Sequence, residues 1–284
     1  MDRALERYCV MGHPVAHSKS PWIHARFAEL TGEPIDYRHQ LVALDGFQEA
    51  VRAWRAAGGR GCNVTVPFKF DAFAVPGVRH SERAALAGAC NTLKFDGEQA
   101  FADNTDGVGL VNDITANAGV AMAGARILLV GAGGAAAGVL GPFIEARPAS
   151  VTVANRTLEK AQELVARHAG LAARHGVALR ACTLGEVEAG YDIVVNGSAT
   201  SLGGEAVPVP ATVLRPGTLA VDMMYGPAAA PFLDWARAHG AVPRDGLGML
   251  VEQAAESFAI WRGVRPPSGQ VLAELRAHLE GAVA

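Results

Sequence analysis

The chain has 284 residues, enough for two domains at about 150 residues each. Hydrophobic residues make up 50% and charged residues 19%, which excludes a disordered chain and leaves material for sizeable cores. Lys and Arg (25) against Asp and Glu (28) give a net charge of -3, so no basic excess exists to neutralise a nucleic-acid backbone, while a small acidic ligand can still be caught locally.

The cysteines, Cys9, Cys62, Cys90 and Cys182, are scattered without a C-x-x-C pair, the pattern of a reduced, cytoplasmic chain. Met1 to Arg7 mixes charges and has no apolar run of the signal-peptide kind. The stretch from Ile127 to Ile144 is apolar enough to suggest a membrane span. Its glycines cluster directly after Ile127-Leu128-Leu129-Val130, however, which fits a buried strand breaking into a turn and a small-residue helix. No membrane partner is expected.

In chain order, Tyr8 to Met11 reads as a strand and Pro21 to Leu30 as a helix, with Ser20 at the N-cap and Pro21 at N1. A strand near Tyr37 to Val42 and a helix from Phe47 to Trp54 follow. Cys62 to Val66 is a further strand, stopped by Pro67. Ala89 to Leu93 and Ala100 to Ala102 form a hairpin turning at Asp96-Gly97. From Arg126 the rhythm is regular: strand 126–130, helix from about 134, strand 150–154, helix 157–168, then strands 177–181, 191–195 and 218–222. That alternation predicts a parallel sheet with helices on both faces, and helices at 247–262 and 268–280 end the chain. The change of pattern places a domain boundary near 103–108.

Val130-Gly131-Ala132-Gly133-Gly134-Ala135-Ala136 matches G-x-G-x-x-A between a strand and a helix, the context of a dinucleotide fingerprint. Gly131 allows the tight turn, Gly133 lets a pyrophosphate approach the backbone, and Ala136 permits close helix packing. The next strand ends at Asn155-Arg156-Thr157, where an NAD-selective site would carry an acid. Arg156, with Lys160 one turn on, suits a 2′-phosphate and hence NADP.

His13 to Pro21 is a loop entering a helix N-terminus, with the Ser18 and Ser20 hydroxyls available to a carboxylate; plain capping by Ser20 is the competing explanation. A metal site on His13, His17 and His24 is disfavoured because Pro14 breaks the helix that their spacing needs. Period two sends Asn63 and Thr65 to one face of a strand, with Lys69 at its exit. Asp106 is either an N-cap or a functional acid.

Taken together, these blocks resemble the shikimate dehydrogenase family, from Gly12 to the C-terminal helices. The resemblance implies an α/β fold: a discontinuous substrate-binding catalytic domain (1–105 and 246–284) and a doubly wound Rossmann-type NADP domain (106–245). It implies Lys69 and Asp106 as catalytic residues. Ser18 and Ser20 would bind the substrate carboxylate, and Asn63, Thr65, Asn91, Asp106, Tyr225 and Gln253 the ring. On the cofactor side it implies Glu82, Gly131, Ala132, Gly133, Gly134, Ala135, Asn155, Arg156, Thr157, Lys160, Met223 and Gly246, with no metal. The implied reaction is reversible reduction of 3-dehydroshikimate by NADPH to shikimate. An NAD-dependent quinate/shikimate dehydrogenase and a non-catalytic NADP-binding sensor are the alternatives, and a homodimer is one open assembly. Two features depart from the family's pattern: Phe70, where many relatives have an acid, and the loosened turn Asn196-Gly197-Ser198-Ala199-Thr200.

Overall fold

A computed structural model describes residues 5–198 and 207–281; Ala199 and Thr200 of the loosened turn lie outside them. The chain divides into two compact units, Met1–Gly109 with Leu250–Ala284, and Leu110–Met249.

The first unit is built on a six-stranded mixed sheet. Its strands are β1 (Glu6–Gly12), β2 (Ile35–Leu41), β3 (Gly59–Val64), β4 (Val78–His80), β5 (Thr92–Asp96) and β6 (Gln99–Asp103), in the order β2-β1-β3-β5-β6-β4. The first three are parallel, and β5 turns antiparallel between β3 and β6. Central β1 is buried from Tyr8 to Gly12, as expected of a strand covered on both faces. On one face Cys9, Met11, Cys62 and Val64 pack with Phe47, Val51, Phe68 and Leu93.

The helices of this unit are α1 (Ser20–Thr31), α2 (Phe47–Ala56), α3 (Lys69–Phe73), α4 (Glu82–Ala87), the start of α5 (Asp106–Asn112), most of α9 (Leu247–Arg262) and α10 (Ser268–Gly281). Tyr8 stacks on Trp261 of α9 with ring centroids 4.6 Å apart, and Phe27 of α1 meets Phe258 edge-on at 5.7 Å.

The second unit holds β7 (Arg126–Val130), α6 (Gly134–Glu145), β8 (Ser150–Ala154), α7 (Leu158–His175), β9 (Ala178–Cys182), β10 (Ile193–Asn196), β11 (Leu219–Asp222), α8 (Ala230–Ala238) and β12 (Val242–Arg244). Every pairing is parallel, in the order β12-β11-β10-β7-β8-β9. Renumbered within the unit, this is the doubly wound order 3-2-1-4-5-6, whose direction reverses between β7 and β10. Ligands of such sheets bind beyond the carboxyl ends of the strands at that reversal.

The sequence reading needs three local corrections. Helix α1 begins at Ser20 itself, Lys19 holds the N-cap position without a side-chain bond, and the first N–H of the helix is taken by Ser18 Oγ at 3.3 Å. The hairpin's first arm starts at Thr92, because Ala89 to Asn91 lead out of α4, which ends on left-handed Gly88. Helix α7 continues past 168 to His175 and stops at left-handed Gly176, since Gly170 costs a helix some stability without ending it. Among the described residues no helix is long and apolar enough to cross a membrane.

Candidate active site

In the first unit the expected polar residues converge where β3, β6 and α9 present them. Lys69 is the first residue of the short helix α3 rather than part of a strand end, and its Nζ lies 2.6 Å from Asp106 Oδ2. The pair is largely withdrawn from solvent, the two side chains being 19% and 7% exposed. Asp106 opens α5 but does not cap it. Its main-chain N–H donates to Asn104 Oδ1 at 3.2 Å, leaving the carboxylate for Lys69 and for Asn91 Nδ2 at 2.9 Å. Capping is therefore done by Asn104, and the acid is free for chemistry.

Asn91 is the hub. Its Nδ2 also reaches Gln253 Oε1 of α9 at 3.2 Å and Thr105 Oγ1 at 2.9 Å, while its Oδ1 accepts the Thr105 main-chain N–H at 2.8 Å. Asn63, at the end of β3, donates to the Asn91 carbonyl at 3.2 Å and to Ser257 Oγ at 2.9 Å. Thr65 stands just beyond β3 and is half-buried, its hydroxyl making no hydrogen bond among the described residues. Ser18 and Ser20 are joined, Ser18 donating to Ser20 Oγ at 3.1 Å and accepting the Ser20 main-chain N–H at 3.3 Å. Ser20 is thus part of a hydroxyl pair and not a helix cap.

Several participants were not singled out from sequence. Asp103 anchors the loop that delivers Asp106: it accepts Arg83 through both oxygens at 2.7 Å and the Asn104 N–H at 2.7 Å. Thr92 and Ser257 complete the buried hydroxyl cluster, 2.8 Å apart. Ser257 had a readable signal, since it follows Gln253 by one helical turn and so shares its face. Glu82 is exposed in the first turn of α4.

In the second unit Gly131 turns out of β7 with φ of 110°, open to glycine at little cost. A β-carbon there would stand 3.0 Å from the Gly197 carbonyl, so the turn after β7 lies against the turn after β10. Gly133 precedes α6 in extended conformation, and nothing stands within 4 Å of where its β-carbon would be. Helix α6 has no side-chain cap and no acid in its first turn, so the N–H groups at its start, among Gly134 and Ala135, keep their donors unused by side chains. Ala132 is half-buried in the same turn.

Asn155 Nδ2 donates to the Thr157 carbonyl at 2.8 Å and shapes the turn after β8. Arg156 and Lys160 are exposed and form no ion pair or hydrogen bond among the described residues. Met223 donates its N–H to the Asn196 carbonyl at 3.0 Å, and the Gly246 N–H reaches the Met224 carbonyl at 2.8 Å. Burial pushes the Tyr225 phenol pKa above its ordinary value. Buried Asp113 accepts Arg244 Nε at 2.7 Å and fills the space against Gly248, where a β-carbon would stand 1.7 Å from its oxygen. Among the described residues no group of three acids, histidines or cysteines is placed to hold a metal ion.

Family models cover most of the chain. The shikimate dehydrogenase substrate binding domain matches residues 10–93, shikimate / quinate 5-dehydrogenase matches 113–202, and the shikimate 5'-dehydrogenase C-terminal domain matches 246–276. Shikimate dehydrogenase (NADP(+)) of Paracidovorax citrulli (strain AAC00-1) is 64% identical over 273 residues, covering 96% of this chain and 97% of that protein. The chain belongs to the shikimate dehydrogenase family. The enzyme of the same name from Methylibium petroleiphilum is 64% identical over 285 residues, with 98% and 97% covered. The crystal structure of shikimate 5-dehydrogenase from Thermus thermophilus, in complex with NADP(H) and shikimate, matches with a TM-score of 0.82 at 31% identity, covering 96% of this chain and 99% of that one. Within this family the glycine turn and the Lys69–Asp106 pair are the features whose chemistry has to be explained.

Proposed function

We propose that this chain is an NADP-dependent shikimate dehydrogenase, acting in the cytoplasm, that reversibly reduces 3-dehydroshikimate to shikimate on the route to aromatic amino acids. The observation that carries the reading is the withdrawn Lys69–Asp106 pair, 2.6 Å apart and tied by Asn91 to Gln253. A sensor that only binds NADP has no use for it. Every residue invoked is on one chain, so the reading holds for a monomer or a homodimer.

The second unit fits the cofactor. The open space beside Gly133 and the uncapped start of α6 offer room and N–H donors to a pyrophosphate, with Gly131, Ala132, Gly134 and Ala135 forming the turn. Arg156, exposed and uncommitted among the described residues, is the partner for a 2′-phosphate, with Lys160, Asn155 and Thr157 beside it in sequence. Met223 and Gly246 take the nicotinamide end, and Glu82 is assigned to the cofactor by resemblance. NADPH, when bound, supplies the hydride that reduces the C3 carbonyl.

Hydride arrival at C3 puts negative charge on the carbonyl oxygen, and the chain must neutralise it. Lys69 Nζ gives its proton to that oxygen, and Asp106 holds Nζ in place by its 2.6 Å contact. Shikimate oxidation is the same step reversed, with Lys69 accepting the proton. Ser18 and Ser20 hold the ring carboxylate. Asn63, Thr65, Asn91, Gln253 and Tyr225 provide neutral hydrogen-bonding groups suited to ring hydroxyls. Tyr225 remains a proton donor because burial raises its pKa. Steady-state turnover of shikimate and quinate, each with NADP and with NAD, tests the reading: shikimate with NADP should be the preferred pair, and preference for NAD or absence of turnover would overturn it.

A further inference from the structure

The carboxamide of Asn63 has one orientation open to it. On one side lies the Asn91 main-chain carbonyl oxygen, 3.2 Å from Nδ2, an atom that can only accept. Ser257 Oγ and Thr92 Oγ1 stand on the same side at 2.9 and 3.1 Å. The nitrogen must face them, so Oδ1 faces the opposite way. There it meets the Tyr37 hydroxyl at 2.8 Å. An amide oxygen only accepts, so the phenol proton is committed to Asn63.

The ring of Tyr37 is held as firmly as its oxygen. It stacks on His24 at 4.2 Å between centroids and 9° between planes. His24 is fully buried, and neither ring nitrogen has a hydrogen-bond partner among the described residues. Burial lowers its pKa to about 3, against a smaller opposing effect of Asn63. The imidazole is therefore neutral at working pH and serves as a flat seat for the phenol.

We propose that Tyr37 is a positioning residue for substrate binding, whose hydrogen bond anchors the Asn63 side-chain oxygen and so holds the amide in place for the substrate ring. The inference rests on reading Asn63 as a substrate contact.

Tyr37→Phe keeps the ring on His24 and deletes only the phenol oxygen. The KM for shikimate should rise about tenfold, with kcat and the KM for NADP within about twofold of wild type. In an Asn63→Ala background the same change should add almost nothing, because its route runs through Asn63. An unchanged KM in Tyr37→Phe, beside a raised KM in Asn63→Ala, would overturn the role of Tyr37 and leave the substrate contact standing. An unchanged KM in both would overturn the contact as well. Parallel losses in kcat, both KM values and thermal midpoint would mark a structural residue and equally overturn the proposal.

Discussion

Gly246 lies against the main chain of Met223 so closely that a β-carbon would stand 2.3 Å from its carbonyl oxygen and 2.6 Å from its carbonyl carbon. Neither atom can move aside as a flexible side chain would. Gly246→Ala should therefore destabilise the second unit by about 1–3 kcal/mol and displace a segment assigned to the cofactor. Gly133→Ala is the counterpart. Its backbone is extended and its surroundings are open, so stability should stay within about 1 kcal/mol while NADP affinity falls. Thermal melts and NADP titrations of the two variants separate the effects; equal NADP affinity in Gly133→Ala would remove the pyrophosphate from that turn.

Arg156 is exposed and makes no hydrogen bond or ion pair among the described residues, so Arg156→Ala should leave stability within about 0.5 kcal/mol. Loss of charge-assisted bonds to a 2′-phosphate should raise the KM for NADP about ten- to a hundredfold and leave that for NAD nearly unchanged. Equal losses for both cofactors would contradict the assignment.

Lys69→Ala should lower kcat by about 10²–10⁴. Reading Lys69 at an exposed strand end suggests that truncation would leave nothing buried and unpaired. The geometry corrects this, because Asp106 is 7% exposed and among the described residues would keep only Asn91 as a side-chain partner. Some stability should be lost in Lys69→Ala and recovered in the double variant with Asp106→Asn. Rates of the two single variants should combine less than additively, and full turnover in Lys69→Ala would end the proposed mechanism.

Ser18→Ala should weaken shikimate more than a ring analogue lacking the carboxylate, since only the acid loses a donor. Ser20→Ala is the cleaner test, because Ser20 caps no helix while Ser18 Oγ accepts the first N–H of α1. Competitive inhibition constants for the analogue provide the comparison; identical losses would make the loop structural.

His24 gives a pH signature. Its pKa falls from 6.5 to about 3 on folding, so the unfolded chain binds the extra proton between those values. Stability from this group is complete above pH 6.5 and declines as pH drops toward 3, by at most about 1.4 kcal/mol per pH unit. Fully buried His168 in the second unit, its pKa also lowered by burial, acts in the same direction. Urea midpoints from pH 7 to 4, followed by tryptophan fluorescence, should fall less steeply in His24→Phe; an unaltered slope would contradict the burial argument.

The second unit was the most legible part of the sequence. Ile127-Leu128-Leu129-Val130 and Val151-Thr152-Val153-Ala154 are strands buried on both faces, and such strands are written as unbroken apolar runs. The pieces that escaped are short or at an edge: β4 and β12 have 3 residues each, and α3 and α4 have 5 and 6. None is long enough to show a period. Ser20 was misread because Ser before Pro mimics a cap, a rule blind to the Ser18 hydroxyl two residues away.

The site divides in the same manner. Lys69 and Asp106 stand in local motifs that carry their own signal, whereas Asn91 came only from the family resemblance. Tyr37 stands in Ile-Asp-Tyr-Arg-His, which reads as an ordinary half-exposed strand. Its meaning comes from sheet register, which seats it opposite Tyr8 on β1 and over His24 of α1. Arg83 and Asp103 are legible only once their elements are in place.

Because the first unit is assembled from residues 1–109 and 250–284, its completion waits on a segment made only after the whole of the second unit. Sheet β1 to β6 is synthesised early, yet Tyr8 lacks Trp261, Phe27 lacks Phe258 and Asn91 lacks Gln253 until α9 emerges. Residues 110–249 form a self-contained sheet and can fold while that half-core waits. A nonsense codon before Leu250 would yield an intact nucleotide fold beside an unfinished partner without Gln253 or Ser257.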